Sequence, residues 1–229
     1  MDISRLLLKD IEIDRLFDLT KTRAAFLFEG IKYPWEALEH IGDAILKIGA
    51  SLPEDEFDHP KDDVWIAKDA KVYPTAWISG SCIIDRESEV RHCAFIRGNA
   101  LVGKNCVVGN SVEFKNVILF NGVQTPHYNY VGDSILGYKA HMGAGSITSN
   151  VKSDRSNVVV KSGDVQIETG RRKFGAMIGD QAEIGCNTVL NPGSIVGRAS
   201  TVYPVSCVRG FVPAYAIYKA PEEIVFKTK

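Results

Sequence analysis

No run of eighteen apolar residues occurs in this 229-residue chain, so no segment reads as a membrane-crossing helix. No charge of one sign dominates: 27 basic side chains stand against 28 acidic ones, interspersed, for a formal net charge of −1. That balance argues against a chain built to coat nucleic acid or lie on a membrane surface. No CxxC pair occurs among the five cysteines, and an odd, scattered set reads as reduced thiols in a cytoplasm, not as a disulfide frame. The opening MDISRLLLKD carries acids at both ends of too short an apolar stretch for a signal peptide. The expectation is a cytoplasmic protein with neither nucleic acid nor membrane as partner, of one large or two modest domains.

What the sequence does have is a beat. From Ile66 every sixth residue is aliphatic (Val72, Ile78, Ile84, Val90, Ile96, Val102, Val108), and four positions after each sits a small one such as Ala70, Ala76, Cys82 or Ser88. A period of six suits neither an amphipathic helix nor a simple meander, but it divides by two. Each unit is then a short strand with one knob inward and a tight corner, the pattern of a hexapeptide solenoid. Cys82 and Cys106 take the small position, where a thiol serves as a compact hydrophobe. The beat returns at Ile178, Ile184, Leu190, Val196, Val202 and Val208, and Leu136 and Met142 share that later phase. From Phe114 to Leu136 is 22 residues, which predicts an insertion of about four residues within 117–129.

Residues 1–62 lack the beat. The apolar stripe Leu38, Ile41, Ile45, Ile48 after Pro34 predicts one helix, and a second is expected over 3–19 with part of 23–28. The expectation is a helical cap on the open end of the solenoid, joined through an acidic, proline-bearing linker at 52–63. The solenoid occupies 63–213, interrupted by a hairpin within 151–177 that projects outward. A tail covers 214–229, with a short helix expected from Pro221.

Residues 97–150 carry more than periodicity. They contain RGNALVGKNCVVGNSVEFKN, then TPHYNYVGDS, then GAGSITSN, and TGRRKFGAMIGD and NPGSIVG follow. This stretch resembles the acetyltransferase half of the bifunctional glucosamine-1-phosphate N-acetyltransferase and N-acetylglucosamine-1-phosphate uridylyltransferase family. It also resembles archaeal two-domain sugar-1-phosphate nucleotidylyltransferases. The resemblance spans about residues 64–219 and rests on Arg97, Lys115, His127 and Tyr130, at offsets of eighteen, twelve and three. It implies an all-β, single-stranded left-handed parallel β-helix with a small N-terminal helical region, assembled as a homotrimer and at work in nucleotide-sugar metabolism. The segment IKYPWEALEHIGDAIL resembles the linker helix of those enzymes. Nothing in the chain resembles their glycine-rich nucleotide loop, so nucleotidylyl transfer is not expected.

Residue by residue, the resemblance makes Arg97 and Lys115 the grip on a sugar phosphate and His127 the general base. Tyr130 and Asn150 become substrate contacts. Acetyl-CoA, the implied cosubstrate, falls to Ala144, to Cys186 where many members have serine, and to Lys219 near a C-terminal arginine. His141 stands where the family has a sugar-contacting asparagine. The family's lysine after the GAG motif has no match in 151–157, and Arg171, Arg172 and Lys173 take its place.

The chemistry agrees with these assignments. An imidazole titrates in the right range to accept the proton of an attacking amine. Side chains eighteen apart would stack about 4.8 Å from one another, an arginine fork beside a lysine point charge suited to phosphate. Backbone N–H groups at residues 143–145 could bind a thioester oxyanion, although glycines are equally expected at corners for their backbone freedom alone. Two other classes stand beside this reading. One is a non-catalytic regulatory or assembly β-helix that retains the sugar-phosphate pocket. The other is a γ-carbonic-anhydrase-like zinc enzyme using His92, His127 and His141, although the two histidines five apart that such enzymes carry are missing.

Overall fold

The computed structural model describes residues 9–162, 165–220 and 223–227. Its body is a left-handed parallel β-helix of about eight turns with three flat faces. Register shows how the turns stack. Val64 pairs with Cys82 and Cys82 with Ala100, a step of eighteen, so each hexad lands over the one three before it. The inward knobs form one continuous core along the axis, Ile84, Val102, Leu119 and Leu136 on the first face, for instance, all fully buried. Each corner needs one left-handed residue, and at many of them the chain supplies it without glycine: Glu87, Cys93, Asn99, Asn105 and Ser111 all have φ between 50° and 61°.

No loop is inserted at 117–129. Ala100 pairs with Val117 and Val117 with Ser134, steps of seventeen, within strands Glu113–Leu119 and Tyr130–Leu136, and Gln124–His127 is a strand as well. Two corners are each one residue short. The left-handed residues Ser111 and Asn116, then Tyr128 and Asp133, are five apart where the rest of this run keeps six. Removing two residues and adding four shift a six-residue phase by the same amount, so spacing alone could not tell them apart. The step of 42 from Ile135 to Met177 marks the true insertion, the hairpin of Val159–Ser162 with Val165–Glu168.

The N-terminal region does not sit on the open end. It lies along the first face, for a reason visible in the outward positions of that face: Ile83, Leu101, Ile118, Ile135, Met177 and Ile195 form an apolar column, each at most 1% exposed. On the second face the matching positions include Lys71, Glu89, Gln124, His141 and Glu183, which remain in water. The 3-10 turn Pro34–His40 and the helix Ile41–Gly49 lay Leu38, Ile41, Ile45 and Ile48 onto the apolar column. Gly49 lies flush on Trp65, whose ring would be 2.5 Å from any added Cβ. Of the helix expected over 3–19, residues 1–8 lie outside the described residues; in the rest Lys9 is helical, and after a turn the short helix Ile13–Leu16 follows. Phe17 and Phe28 pack on Phe120 at centroid distances of 5.2 and 6.1 Å.

Buried polar contacts fix this cover to the solenoid. Arg23 donates to both oxygens of the fully buried Asp85, at 2.6 and 3.0 Å. The backbone N–H groups of Asp18 and Tyr138 both donate to Asp180 at 2.7 Å, and Arg198 lies 3.3 Å from it. Burial pushes the Asp180 carboxyl up despite these donors.

One antiparallel strand extends each of the two large sheets, at opposite ends of the solenoid. Phe57–Lys61, expected as linker, pairs with Val64–Ala67. Glu223–Phe226, where a helix was expected, folds back on Ala216–Ala220; Pro221 itself lies outside the described residues. Each pairs the edge of the last coil on its face and becomes the short, exposed edge strand itself. The 151–177 hairpin does not project outward either: Val158 and Val160 are buried with Met177 and Ile195 against the C-terminal part of the first face.

If the cover is what buries the outward column, Ile118→Ala costs about 2–5 kcal/mol in urea unfolding. Gln124→Ala, at the outward position of the second face, stays within about 0.5 kcal/mol.

Candidate functional site

The third face is where the residues singled out by sequence collect, at its two edges. At the edge shared with the first face, Ile96 pairs with Phe114, so the next residues, Arg97 and Lys115, are neighbours on adjacent turns. Arg97 Nη1 donates to Glu113 Oε1 at 2.6 Å, and this contact raises the guanidinium pKa further. Glu113 is in register with Tyr130, and Lys115 with Gly132. A Cβ at Gly132 would stand 2.6 Å from the Tyr130 hydroxyl and 2.9 Å from Asn150 Nδ2, so those two groups fill the space the glycine leaves. Burial, and then the Asp133 and Glu113 carboxylates, push the Tyr130 phenol up, which keeps it protonated and able to donate. Asp133 is the hub beneath them, accepting from Asn150 Nδ2 at 2.6 Å and Asn116 Nδ2 at 3.0 Å. Arg97, Lys115, Tyr130 and Asn150 are thus assembled on one corner.

His127 is at the other edge, where the second face turns into the third. It ends strand Gln124–His127, pairs with Asn110, and is exposed. The turns above continue its column. Gly145 N–H donates to His127 O at 3.0 Å and Asn187 N–H to Ala144 O at 2.8 Å, so His127, Ala144 and Cys186 follow one another along the corner. Asn129, almost wholly buried, fixes the corner below the imidazole. It accepts from the His127 N–H at 3.2 Å and donates to Gly143 O at 2.8 Å and to Ser146. The Gly143 N–H is spent on Ile184 O and that of Gly145 on His127 O, so neither is free to bind an oxyanion. Within one protomer His127 and Gly132, the neighbour of Lys115, are separated by five residues, at most about 17 Å.

The remaining expectations fall elsewhere. His141 lies mid-face on the second face, its Nδ1 2.8 Å from Glu183 Oε2. Arg171 reaches Glu39 of the N-terminal cover at 3.7 Å, whereas Arg172 and Lys173 are exposed. Lys219 is paired with Glu223 at 3.0 Å, which raises its pKa. His92 shares the His127 column but lies two turns below it, with Asn110 between, and bonds Thr75 at 2.9 Å. His92, His127 and His141 therefore do not converge in one protomer. Among the described residues no three His, Cys, Asp or Glu side chains are grouped to hold a metal.

Sequence reasoning passed over Glu113, Asn129 and Asp133. Asn116, Asp133 and Asn150 are seventeen apart, the step of the shortened turns, and that spacing was the available signal.

Comparison with known proteins adds to this picture. The fold defines the class first: a hexapeptide β-helix with polar groups at two corners of one face. Residues 78–172 then match the family described as GMPPB C-terminal domain. The chain is similar to the bifunctional protein GlmU of Methanococcus aeolicus, 34% identical over 136 residues, 59% of this chain and 33% of that one. It is similar to the bifunctional sugar-1-phosphate nucleotidylyltransferase/acetyltransferase of Sulfurisphaera tokodaii, 32% identical over 150 residues, 57% of this chain and 37% of that one. The chain thus spans about a third of the length of the curated relatives it matches. Among solved structures, a point mutant of AntD, an N-acyltransferase from Bacillus cereus in complex with dTDP and coenzyme A, is 16% identical, with a TM-score of 0.37. That match covers 72% of this chain and 81% of that one.

The thiols give a direct check on burial. Cys82 and Cys106 are buried, and loss of solvation pushes each thiol up to about 12. Cys93, Cys186 and Cys207 are exposed. A thiol reagent at pH 8 should therefore leave Cys82 and Cys106 unlabelled in the native protein and reach them only after denaturation, as read by peptide mass spectrometry.

Proposed function

We propose that this chain transfers the acetyl group of acetyl-CoA to the amine of an amino-sugar 1-phosphate, at a site completed between copies of a homotrimer. One observation carries the reading. Arg97, Lys115, Tyr130 and Asn150 share one edge of the third face, and His127 heads the Ala144–Cys186 column on the other. A cyclic arrangement is heterologous and sets one edge of a copy against the opposite edge of the next. The third face suits that role, since Trp77 and Phe95 on it are 59% and 42% exposed while the first face is already covered.

In such a site the cations and Tyr130 hold the phosphate and sugar, and the amine is presented to His127 of a neighbouring copy. The imidazole accepts the amine proton as nitrogen attacks the thioester carbonyl carbon. The carbon–sulfur bond breaks, and coenzyme A leaves as thiolate and takes up that proton. The small side chains of Ala144 and Cys186 leave room along the corner for the thioester arm. The Ala144 N–H, unclaimed among the described residues, is the donor available to the oxyanion in place of Gly143 and Gly145. The relatives named above support an acetyltransferase, and the choice of glucosamine-1-phosphate as first substrate follows the resemblance.

Incubation with acetyl-CoA and glucosamine-1-phosphate should release free thiol, and His127→Ala should lower kcat by roughly 10²–10⁴-fold with little change in thermal midpoint. Arg97→Ala should act mainly through KM. No thiol release with any amino-sugar phosphate, full turnover in the His127 variant, or a monomer by sedimentation would each overturn the proposal.

A further inference from the structure

The corner between the first and second faces holds a cleft of about 790 Å³, bridged by the N-terminal cover and lying across the second face from His127. Lys21, Lys104 and Lys139 border it. Lys21 comes from the cover and is held in place by its carbonyl, which accepts the Asn121 N–H at 2.9 Å. Lys104 and Lys139 flank Asn121 on the turns below and above: the Lys104 N–H donates to Asn121 Oδ1 at 2.9 Å and the Lys139 N–H to Asn121 O at 3.0 Å. Tyr138 lies between two of the ammoniums, with Lys21 Nζ and Lys139 Nζ 5.5 and 5.2 Å from its ring centroid.

Gly122 lines the cleft between Lys104 and Lys139. Glu87, Asn105, Gly122, Lys139, Gln181 and Ala199 occupy equivalent corner positions, all at positive φ. Five of them are not glycine, so backbone conformation alone does not call for glycine at 122. What Gly122 allows is the close approach of the Lys139 stem, whose Cγ would stand 3.0 Å from any Cβ placed there.

Two carboxylates border the cleft, and both are engaged. Glu87 accepts from Asn105 Nδ2 at 2.9 Å, and Glu183 holds His141 at 2.8 Å. The ion pairs among the described residues include none of the three lysines. Glu87 and Glu183 share the cleft and Asp18 feels the Lys21 charge, so Lys104 and Lys139, in no ion pair among the described residues, are the two cations most open to a bound anion. The backbones of Lys104 and Lys139 are two turns apart, about 9.5 Å, a span that two linked phosphoryl groups bridge more readily than one. Asn121, its Oδ1 already occupied, can add its Nδ2 as a neutral donor.

We infer that this cleft binds the diphosphate group of a small molecule, gripped by Lys21, Lys104 and Lys139 over Gly122. The site is separate from the residues assigned to acetyl transfer at the edges of the third face, apart from His141 on its rim, and it stands whether or not that transfer occurs. Calorimetric titration of the full chain with inorganic pyrophosphate, and separately with orthophosphate, tests it. Pyrophosphate should bind at least tenfold more tightly than orthophosphate. Lys104→Gln and Lys139→Gln should each weaken it about tenfold, the loss of one charged hydrogen bond. Gly122→Asn, which places at 122 the residue type found at 105, should abolish binding with the thermal midpoint of the free protein retained. Lys68→Gln, elsewhere on the surface, should bind as the unaltered chain does. No heat from the unaltered chain at millimolar pyrophosphate would overturn the assignment. So would equal binding by folded Gly122→Asn, or equal loss in Lys68→Gln.

Discussion

The apolar column on the outside of the first face is the constraint from which the rest of the architecture follows. A β-helix buries its inward knobs by closing on itself, but its outward positions belong to whatever covers them. Here six outward side chains from Ile83 to Ile195 are each at most 1% exposed. At roughly 25 cal/mol per Å² of apolar surface, leaving such a column in water would cost about as much as a domain's usual net stability. The N-terminal turns and the hairpin therefore have to lie where they do. Once they do, the first face is closed to ligands and to other copies, and the second and third faces are what remain.

How much of this the sequence showed depends on which residues one counts. The inward knobs repeat with little variation and were legible from Ile66 onward. The outward residues on the first face stand immediately before those knobs, as in Ile83-Ile84, Leu101-Val102 and Ile135-Leu136, and a reading tuned to every sixth position passes over them. That is why the cover was expected at the end of the solenoid and found along its side. The phase slip between Phe114 and Leu136 was visible, but its cause was not, since periodicity is blind to whole periods. Strand Phe57–Lys61 was hidden by Pro60, which an edge strand tolerates where an interior one would not.

The candidate site divides in the same way. Arg97 and Lys115 could be placed together because parallel register turns an offset of eighteen into neighbours, whereas Tyr130 and Asn150 came only from the resemblance. Glu113 and Asp133 could not be assigned, because an acid beside a cation in sequence carries no sign of whether it is partner or bystander. In the structure Glu113 takes one donor of Arg97 and leaves the others, so any anion bound there shares the guanidinium with a resident carboxylate. Such a site selects ligands by geometry as well as charge, since an ion that merely neutralises the arginine finds it already neutralised.

The two five-residue corners have a consequence of their own. Both fall where the third face turns into the first, and both are occupied by the linked side chains of Asn116 and Asp133, with Asn150 on the turn above. A corner one residue short has less chain to stand out from the body of the coil. Beneath Lys115 and Tyr130 the coil is therefore drawn in on two successive turns, and side-chain hydrogen bonds among Asn116, Asp133 and Asn150 tie together the corner that the shortened backbone leaves.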